Sequence, residues 1–176
     1  MSKQVKHGAD ARDALLRGVN LIADAVCITE GPRGRTAILG QRSQGQTPRV
    51  SRDGVSVANY VDCSDPTEQL GSDLIREASQ KTDNVVGDGT TATIILARDM
   101  IQSGFDFIKD GANPMAVERG IRRAVDAVVA AIARTAIPSD SLKLFQVATV
   151  AAHGDAEIGQ LVEDAIANAG PDGVVT

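Results

Sequence analysis

Apolar residues recur at intervals of three and four along most of this 176-residue chain, and that period constrains its fold more than any other feature. In the first such stretch Leu15, Val19 and Ile22 fall on one face of a helix. Asp10 is the predicted N-cap of this helix, and Gly31-Pro32 marks its end. The period predicts a mainly α fold with four long helices and two shorter ones, at residues 10–29, 66–82, 90–109, 114–134, 141–152 and 155–169.

The small number of aromatic residues determines which side chains can form the core. Aromatic residues make up 2% of the sequence and Trp is absent, so Ala, Val, Ile and Leu must fill the interior. Cys27 lies near the apolar face of the first helix and is predicted to be buried with them. We expect the four long helices to pack around eight aliphatic side chains: Leu15, Val19, Ile22, Leu74, Ile94, Ile101, Val117 and Ile121.

Charge and composition exclude several functional classes. A net charge of −5 and the lack of aromatic stacking residues argue against a nucleic-acid partner. No apolar run reaches membrane-spanning length, and "MSKQVKHGADAR" lacks the apolar segment of a secretory signal. Two cysteines, Cys27 and Cys63, are too few for a disulfide framework. We therefore expect a cytoplasmic protein with no membrane partner.

A small β-hairpin is predicted near residues 36–52. Two short β-patterned runs, "GRTAILG" and "TPRVSR", flank the polar loop "GQRSQGQ". The next stretch, "RDGVSVANYV", fits either a strand or a short helix. The last residues, "GPDGVVT", combine a turn with three residues of strand character.

The stretch "NVVGDGTTATIILARDM", residues 84–100, contains a glycine junction at the start of a helix. Gly87-Asp88-Gly89 allows the backbone to approach a ligand closely, and the helix end offers free N–H groups to a phosphate. Thr90 and Thr91 could add hydroxyl donors, and Asp88 could hold Mg²⁺. The alternative is a glycine turn with threonine caps and no ligand.

Two known phosphate motifs do not explain this junction. It is not a Walker A loop, because no Gly-Lys-Ser/Thr follows at the required spacing. "GDGTTA" fits G-x-G-x-x-A, but that fingerprint requires a preceding strand, and "LIREASQKTDNVV" has helical character. A zinc site is not expected either, because His7 and His153 have no ligand spacing.

Three further segments, together with the junction, resemble the group I chaperonins, the GroEL family. They are "RGVNLIADAVCITEGPRGR", "SRDGVSVA" and "GANPMAVERGI", in the family's order and at nearly its separations. The resemblance covers about residues 3–176 and implies the N-terminal third of a chaperonin. Residues 1–137 would form the N-terminal part of the equatorial, nucleotide-binding domain, and residues 138–176 the first intermediate-domain segment. The apical domain is absent from this sequence.

The resemblance implies an ATP site with bound Mg²⁺. Asp88 resembles the metal ligand, and Asp53 the carboxylate that assists hydrolysis near the γ-phosphate. Without the family, Asp53 in "RDG" would be interpreted as a turn residue. The resemblance assigns eight positions to nucleotide binding: Thr29, Gly31, Pro32, Asp88, Gly89, Thr90, Thr91 and Val150.

The chain departs from the family pattern at this site. The third threonine of GDGTTT is Ala92, Glu30 replaces a common leucine, and Arg52 replaces a lysine. The family's principal catalytic aspartate lies in a later segment that this sequence lacks. We therefore expect binding of ATP and Mg²⁺ to be weak or absent and hydrolysis to be feeble or nil, so enzymatic activity stays undecided from the sequence.

Two functions fit these observations. The first is part of an ATP-dependent protein-folding chaperonin that associates with chaperonin subunits, with unfolded clients and a co-chaperonin bound only through the absent apical domain. The second is a stand-alone truncated paralogue that acts in binding or assembly without a folding cycle. A reading frame that continues past Thr176 into apical sequence would favour the first.

Overall fold

The computed structural model describes residues 4–31, 33–40, 47–137, 141–170 and 173–175. The predicted mainly α fold with a small two-stranded sheet is confirmed. No helix in these ranges is long and apolar enough to cross a membrane. The elements in chain order are α1 (Gly8–Cys27), β1 (Ala37–Leu39), β2 (Arg49–Ser51), α2 (Gly54–Ala58), α3 (Pro66–Val86), α4 (Thr90–Lys109), α5 (Pro114–Thr135), α6 (Ser141–Ala151) and α7 (Ala156–Ala169).

The chain divides into two compact units, Met1–Ala124 and Val125–Thr176, with the boundary inside α5. In the first unit α1, α3 and α4 pack against one another, and α2 lies against all three. As predicted, Val19, Ile22 and Ile94 are buried there. The core of this unit also includes Ala23, Val26, Ala37, Leu39, Val57, Ala58 and Ile75.

Helices α1 and α3 of the first unit approach each other closely. A Cβ added at Gly18 would overlap the backbone carbonyl of Glu68, and one added at Gly71 would overlap that of Leu15. The buried Ser72 hydroxyl donates to the Gly18 carbonyl over 2.9 Å. Glycine on both helices therefore brings the two backbones into direct contact.

Helix starts in this unit follow their capping residues. Asp65 caps α3 by accepting from the Thr67 and Glu68 N–H groups at 2.6 and 3.4 Å. The predicted N-cap Asp10 is wrong, because α1 begins at Gly8 after an extended His7 that makes no side-chain cap. Asp10 instead lies in the first turn, where a carboxylate also suits the positive end of the helix dipole.

The predicted hairpin is confirmed by its paired strands. β1 and β2 are antiparallel, with Ile38 opposite Val50 and both side chains largely exposed. The hairpin tip at residues 41–46 lies outside the described residues. "RDGVSVANYV" contains the short helix α2, and residues 173–175 carry no strand.

Three predicted core positions are wrong. Leu74 is 62% exposed and Ile121 is 36% exposed, because the neighbouring helices do not cover the faces on which these residues lie. Cys27 is exposed at the last residue of α1, and its thiol donates to the Asp24 carbonyl at 3.1 Å. Leu15, Ile101 and Val117 are partly buried.

The second unit contains a packed helix pair. α6 and α7 lie so close that a Cβ added at Gly159 would overlap the Thr149 hydroxyl. Asp155 caps α7 by accepting from the N–H groups of Glu157 and Ile158 at 3.0 and 3.2 Å. Ala148 is buried in α6.

Candidate functional site

The glycine junction links α3 directly to α4. Gly87 ends α3 with φ of +73° and donates its N–H to the Asp83 carbonyl at 2.8 Å. Gly89 is the N-cap of α4 with φ of +76°. Both angles are left-handed, a conformation that is costly for residues with a Cβ. The two glycines therefore make the sharp turn that places Asp88 between the helices.

The junction is open to a ligand. A Cβ added at Gly87 or Gly89 would meet no atom within 4 Å beyond the adjacent residues, so the backbone there borders free space. The first turn of α4 receives no side-chain cap, so its N–H groups retain their capacity to bind an anion. Asp88 is exposed, and its Oδ1 accepts from the Gly89 N–H at 2.7 Å.

The predicted residues Thr29 and Thr91 lie together, although they are 62 positions apart in sequence. Their hydroxyl oxygens are 3.3 Å apart, and the Thr29 hydroxyl lies 2.8 Å from the Val26 carbonyl. Because each hydroxyl has one proton, Thr29 donates to Val26 when Thr91 donates to Thr29. Thr90 is buried, so this residue would offer a ligand its main chain rather than its side chain.

Asp53 lies near Thr91, because the next residue, Gly54, packs against the Thr91 side chain. A Cβ added at Gly54 would overlap the Thr91 hydroxyl, so α2 begins directly against the first turn of α4. Asp53 is the N-cap of α2 and accepts from Val55 and Ser56 N–H groups at 3.3 and 2.9 Å. The exposed Asp53 carboxylate therefore belongs to a helix start that is packed against the junction.

The other predicted positions are Gly31, Pro32 and Val150. Gly31 lies in the turn after α1, where its carbonyl accepts from the Gly34 N–H at 2.9 Å. Pro32 lies outside the described residues. Val150 is exposed on α6 and belongs to the second unit.

The three departures from the family pattern have different surroundings. Glu30 is exposed in the turn after α1. The Arg52 side chain forms a hydrogen bond, in which its Nε donates to the Thr36 hydroxyl at 2.8 Å. Ala92 is partly buried in the first turn of α4 and supplies no hydroxyl there.

A bound metal at this site would depend on few protein ligands. Among the described residues, no group of three or more His, Cys, Asp or Glu side chains could hold an ion. This donor set suits Mg²⁺, which keeps several waters and is commonly held by one or two carboxylates plus phosphate oxygens. The exposed Asp88 carboxylate fits such a role.

Sequence reasoning missed three hydroxyl residues next to the junction. Ser79 and Thr82 lie on α3, and Thr93 lies on α4, with contacts that join the two helices. Ser79 and Thr82 are three residues apart and therefore lie on one face of α3, and Thr93 is in the first turn of α4. This spacing could have suggested that the hydroxyl groups of the two helices face each other. The period alone, however, does not show which helices are neighbours.

Comparisons with known proteins agree with this architecture. Residues 22–173 match the family model described as the TCP-1/cpn60 chaperonin family. The chaperonin gp146 from the bacteriophage EL 2 (Pseudomonas aeruginosa), crystallised in the presence of ATP-BeFx, is similar in two crystal forms. The TM-scores are 0.77 and 0.78, with 30% identity over 92% of this chain. A group III chaperonin in the open state gives a TM-score of 0.76, with 26% identity over 90% of this chain.

These similarities concern part of a longer architecture. This chain covers 28%, 29% and 32% of the solved chaperonin chains. The predicted chaperonin resemblance is confirmed at the level of the family, and the group I assignment stays a prediction. Because the family match spans most of the sequence and solved chaperonins share the fold, the chain belongs to the TCP-1/cpn60 chaperonin family.

Proposed function

We propose that this chain contributes the phosphate- and Mg²⁺-binding half of the ATP site of a protein-folding chaperonin. The observation that carries the proposal is the open junction, in which left-handed Gly87 and Gly89 hold Asp88 at the start of α4. A related chaperonin, gp146, was crystallised in the presence of ATP-BeFx, which supports nucleotide binding here.

Each residue of the junction would have a defined role. Asp88 would hold Mg²⁺, and the main chain of Gly89, Thr90 and Thr91 would bind phosphate oxygens. The Thr91 hydroxyl is positioned by Thr29 and restricted by Gly54. When bound, Mg²⁺–ATP supplies the phosphoryl group, and Asp53 would orient water near it.

The chaperonin resemblance assigns three further residues, which would complete the proposed nucleotide pocket: Gly31, Pro32 and Val150. The resemblance also gives the domain organisation. In that organisation residues 1–137 form the N-terminal part of the equatorial domain and residues 138–176 the first intermediate segment. The hairpin is a two-stranded sheet, and its outer edges suit pairing with a neighbouring subunit, because edge strands present unpaired N–H and C=O groups. We infer a homo-oligomeric, cytoplasmic chaperonin of the group I type.

Clients and a co-chaperonin would be bound by an apical domain outside this sequence. Group I membership therefore predicts that folding by a longer protein containing residues 1–176 depends on a separate lid co-chaperonin. Folding of a denatured client with and without such a lid tests the assignment. Equal folding yields in both would contradict group I membership.

A truncated paralogue that binds or assembles without a folding cycle is the second candidate. Glu30 and Ala92 favour it, since a carboxylate near phosphate is repulsive and one hydroxyl is absent. A reading frame that stops after Thr176 would support this candidate. Continuation into apical sequence would support the first.

Calorimetric titration of Mg²⁺–ATP into the 176-residue chain tests the site. We expect a Kd of about 10⁻⁴ M or weaker, because an open half-site encloses little of the nucleotide. Asp88→Ala should abolish the binding heat. Asp110→Ala, which removes an exposed carboxylate at the other end of α4, is the matched control and should leave it unchanged.

Three results would contradict this interpretation of the site. They are sub-micromolar binding, equal losses in both variants, and brisk ATP turnover that survives Asp53→Asn. Asparagine keeps one of the two acceptor oxygens that cap α2 and removes the charge, so this variant separates the two roles of Asp53. Turnover restored by adding the C-terminal part of a chaperonin would support a divided ATPase.

A further inference from the structure

Two hydroxyl residues of α3 contact the start of α4 beside the glycine junction. The buried Ser79 hydroxyl donates to the Thr90 carbonyl at 3.2 Å. Three residues further along α3, the Thr82 hydroxyl oxygen lies 3.1 Å from that of Thr93. These contacts connect the helix before the junction to the helix after it.

The threonine pair, Thr82 and Thr93, is bonded further to main-chain carbonyls. Thr93 Oγ1 lies 2.9 Å from the Gly89 carbonyl, and Thr82 Oγ1 lies 3.2 Å from the Ala78 carbonyl. Each hydroxyl has one proton, so two arrangements contain a hydrogen bond between the two threonines. Either Thr82 donates to Thr93, which donates to Gly89, or Thr93 donates to Thr82, which donates to Ala78.

The first arrangement acts on the peptide group that matters for anion binding. The Gly89 carbonyl and the Thr90 N–H belong to one planar trans peptide, so fixing the carbonyl also fixes the direction of that N–H. The same carbonyl accepts from the Thr93 N–H at 2.9 Å. Gly89 itself has no side chain to restrain its backbone, so the restraint must come from its neighbours.

We propose that Thr82 and Thr93 are positioning residues that hold the Gly89–Thr90 peptide, and with it the junction N–H groups, in the anion-binding orientation. The proposal rests on the phosphate-binding role proposed above. It adds that α3 contributes to the site through side chains that touch neither the metal nor the nucleotide. It also gives a role to the Thr93 hydroxyl in the first turn of α4, where Ala92 stands in place of the family's third threonine.

Amide exchange measured by NMR on the 176-residue chain without nucleotide tests the proposal directly. Thr82→Val and Thr93→Val keep the side-chain shape and remove the hydroxyl. We expect each to speed exchange of the amides of residues 87–91 by about three- to tenfold, which corresponds to the loss of a typical net hydrogen bond. The double variant should add little to Thr93→Val, because Thr93→Val by itself removes both the bond to the Gly89 carbonyl and the contact with Thr82.

Controls separate positioning from general damage. Thr135→Val removes a hydroxyl that, within the described part of the chain, bonds to carbonyls of its own helix at 3.3 and 3.0 Å, and it should leave the junction amides unchanged. Thr82→Ser and Thr93→Ser keep the hydroxyl and should restore slow exchange if a valine variant proves unstable. Unchanged exchange in folded Thr82→Val and Thr93→Val chains would overturn the proposal.

The same variants, titrated with Mg²⁺–ATP, connect the positioning role to binding. We expect Thr82→Val and Thr93→Val each to raise the Kd for Mg²⁺–ATP about three- to tenfold, as for the exchange rates. Faster exchange with unchanged affinity would overturn the claim that this orientation serves binding. If the unmodified chain binds no Mg²⁺–ATP, the proposed function fails, and the exchange measurements still decide whether the pair holds the junction.

Discussion

Helices α1 and α5 have similar amphipathic sequences but very different surroundings. In α1 the apolar face is buried, with Val19, Ile22 and Val26 nearly inaccessible. All of α5 is described, and none of its residues is buried, although its sequence carries an apolar stripe of equal regularity. A repeating apolar face therefore predicts a helix reliably, whereas burial of that face depends on a partner.

The partner of α1 is close because glycine allows it. Gly18 and Gly71 let the backbones of α1 and α3 approach so closely that a Cβ at either position would overlap the opposite backbone. By contrast, Val117 and Ile121 of α5 approach Gly104 of α4 only to ordinary van der Waals distance, at 3.8 and 3.9 Å from an added Cβ. Two apolar grooves of about 460 and about 620 Å³ run along that contact.

The largest expected difference between the two regions concerns isoleucine truncation. Ile94→Ala removes a fully buried side chain from the packed region and should lower the free energy of unfolding by about 2–5 kcal/mol. Ile132→Ala, at a position that is 61% exposed on α5, should change it by less than about 0.5 kcal/mol. Urea unfolding followed by circular dichroism measures both. Equal losses would show that α5 is buried in solution.

Glycine substitutions should differ in sign between the two regions. Gly18→Ala forces a Cβ into the Glu68 backbone and should destabilise the fold by about 1–3 kcal/mol. Gly120→Ala on α5 meets open space and should stabilise it by about 0.5–1 kcal/mol, because alanine favours the helix. Thermal unfolding of the two variants measures this contrast. A stabilising Gly18→Ala would mean that α1 and α3 are further apart than described.

The smallest effect is a pH dependence at the start of α3. The Thr67 N–H bond and then Lys6 lower the pKa of Asp65 from 3.8 to about 2. A lowered carboxyl pKa adds stability that is fully present above the unfolded value and disappears as pH falls towards about 2. The stability lost in Asp65→Asn, measured by urea unfolding, should therefore be constant above about pH 5 and shrink below about pH 4.

The start of α5 supplies the control for this titration. Asn113 accepts from the Met115 N–H at 2.9 Å, and its neutral amide does not titrate. The cost of Asn113→Ala should consequently stay the same across the acidic range. A pH-dependent cost there, or a pH-independent cost at Asp65, would contradict the electrostatic explanation.

The sequence alone determined the six longer helices, the hairpin strands and the location of the junction, because these depend on local features, whereas it left α2 open between a strand and a helix. Apolar period, glycine pairs and caps such as Asn113 act within a few residues of where they occur. The four sequence motifs also identified the chaperonin family, because motifs are compared residue by residue and the comparison needs no knowledge of tertiary contacts. The roles of Asp53, Asp88 and the other site residues stay predictions.

Only the tertiary structure decided which residues are buried and which hydroxyls meet. The buried face of α3 carries Gly71, Ser72, Ile75 and Ser79, whereas Leu74 faces outward. At Gly71 and Ser72 the close approach of α1 leaves room only for small side chains, and that approach depends on glycines more than 50 positions apart in sequence. The contacts of Thr29 with Thr91 and of Thr82 with Thr93 likewise depend on how the helices pack. The period of apolar residues shows which face of a helix is apolar. Which helix packs against that face, and how closely, is fixed only when the whole chain folds and its interior becomes close-packed.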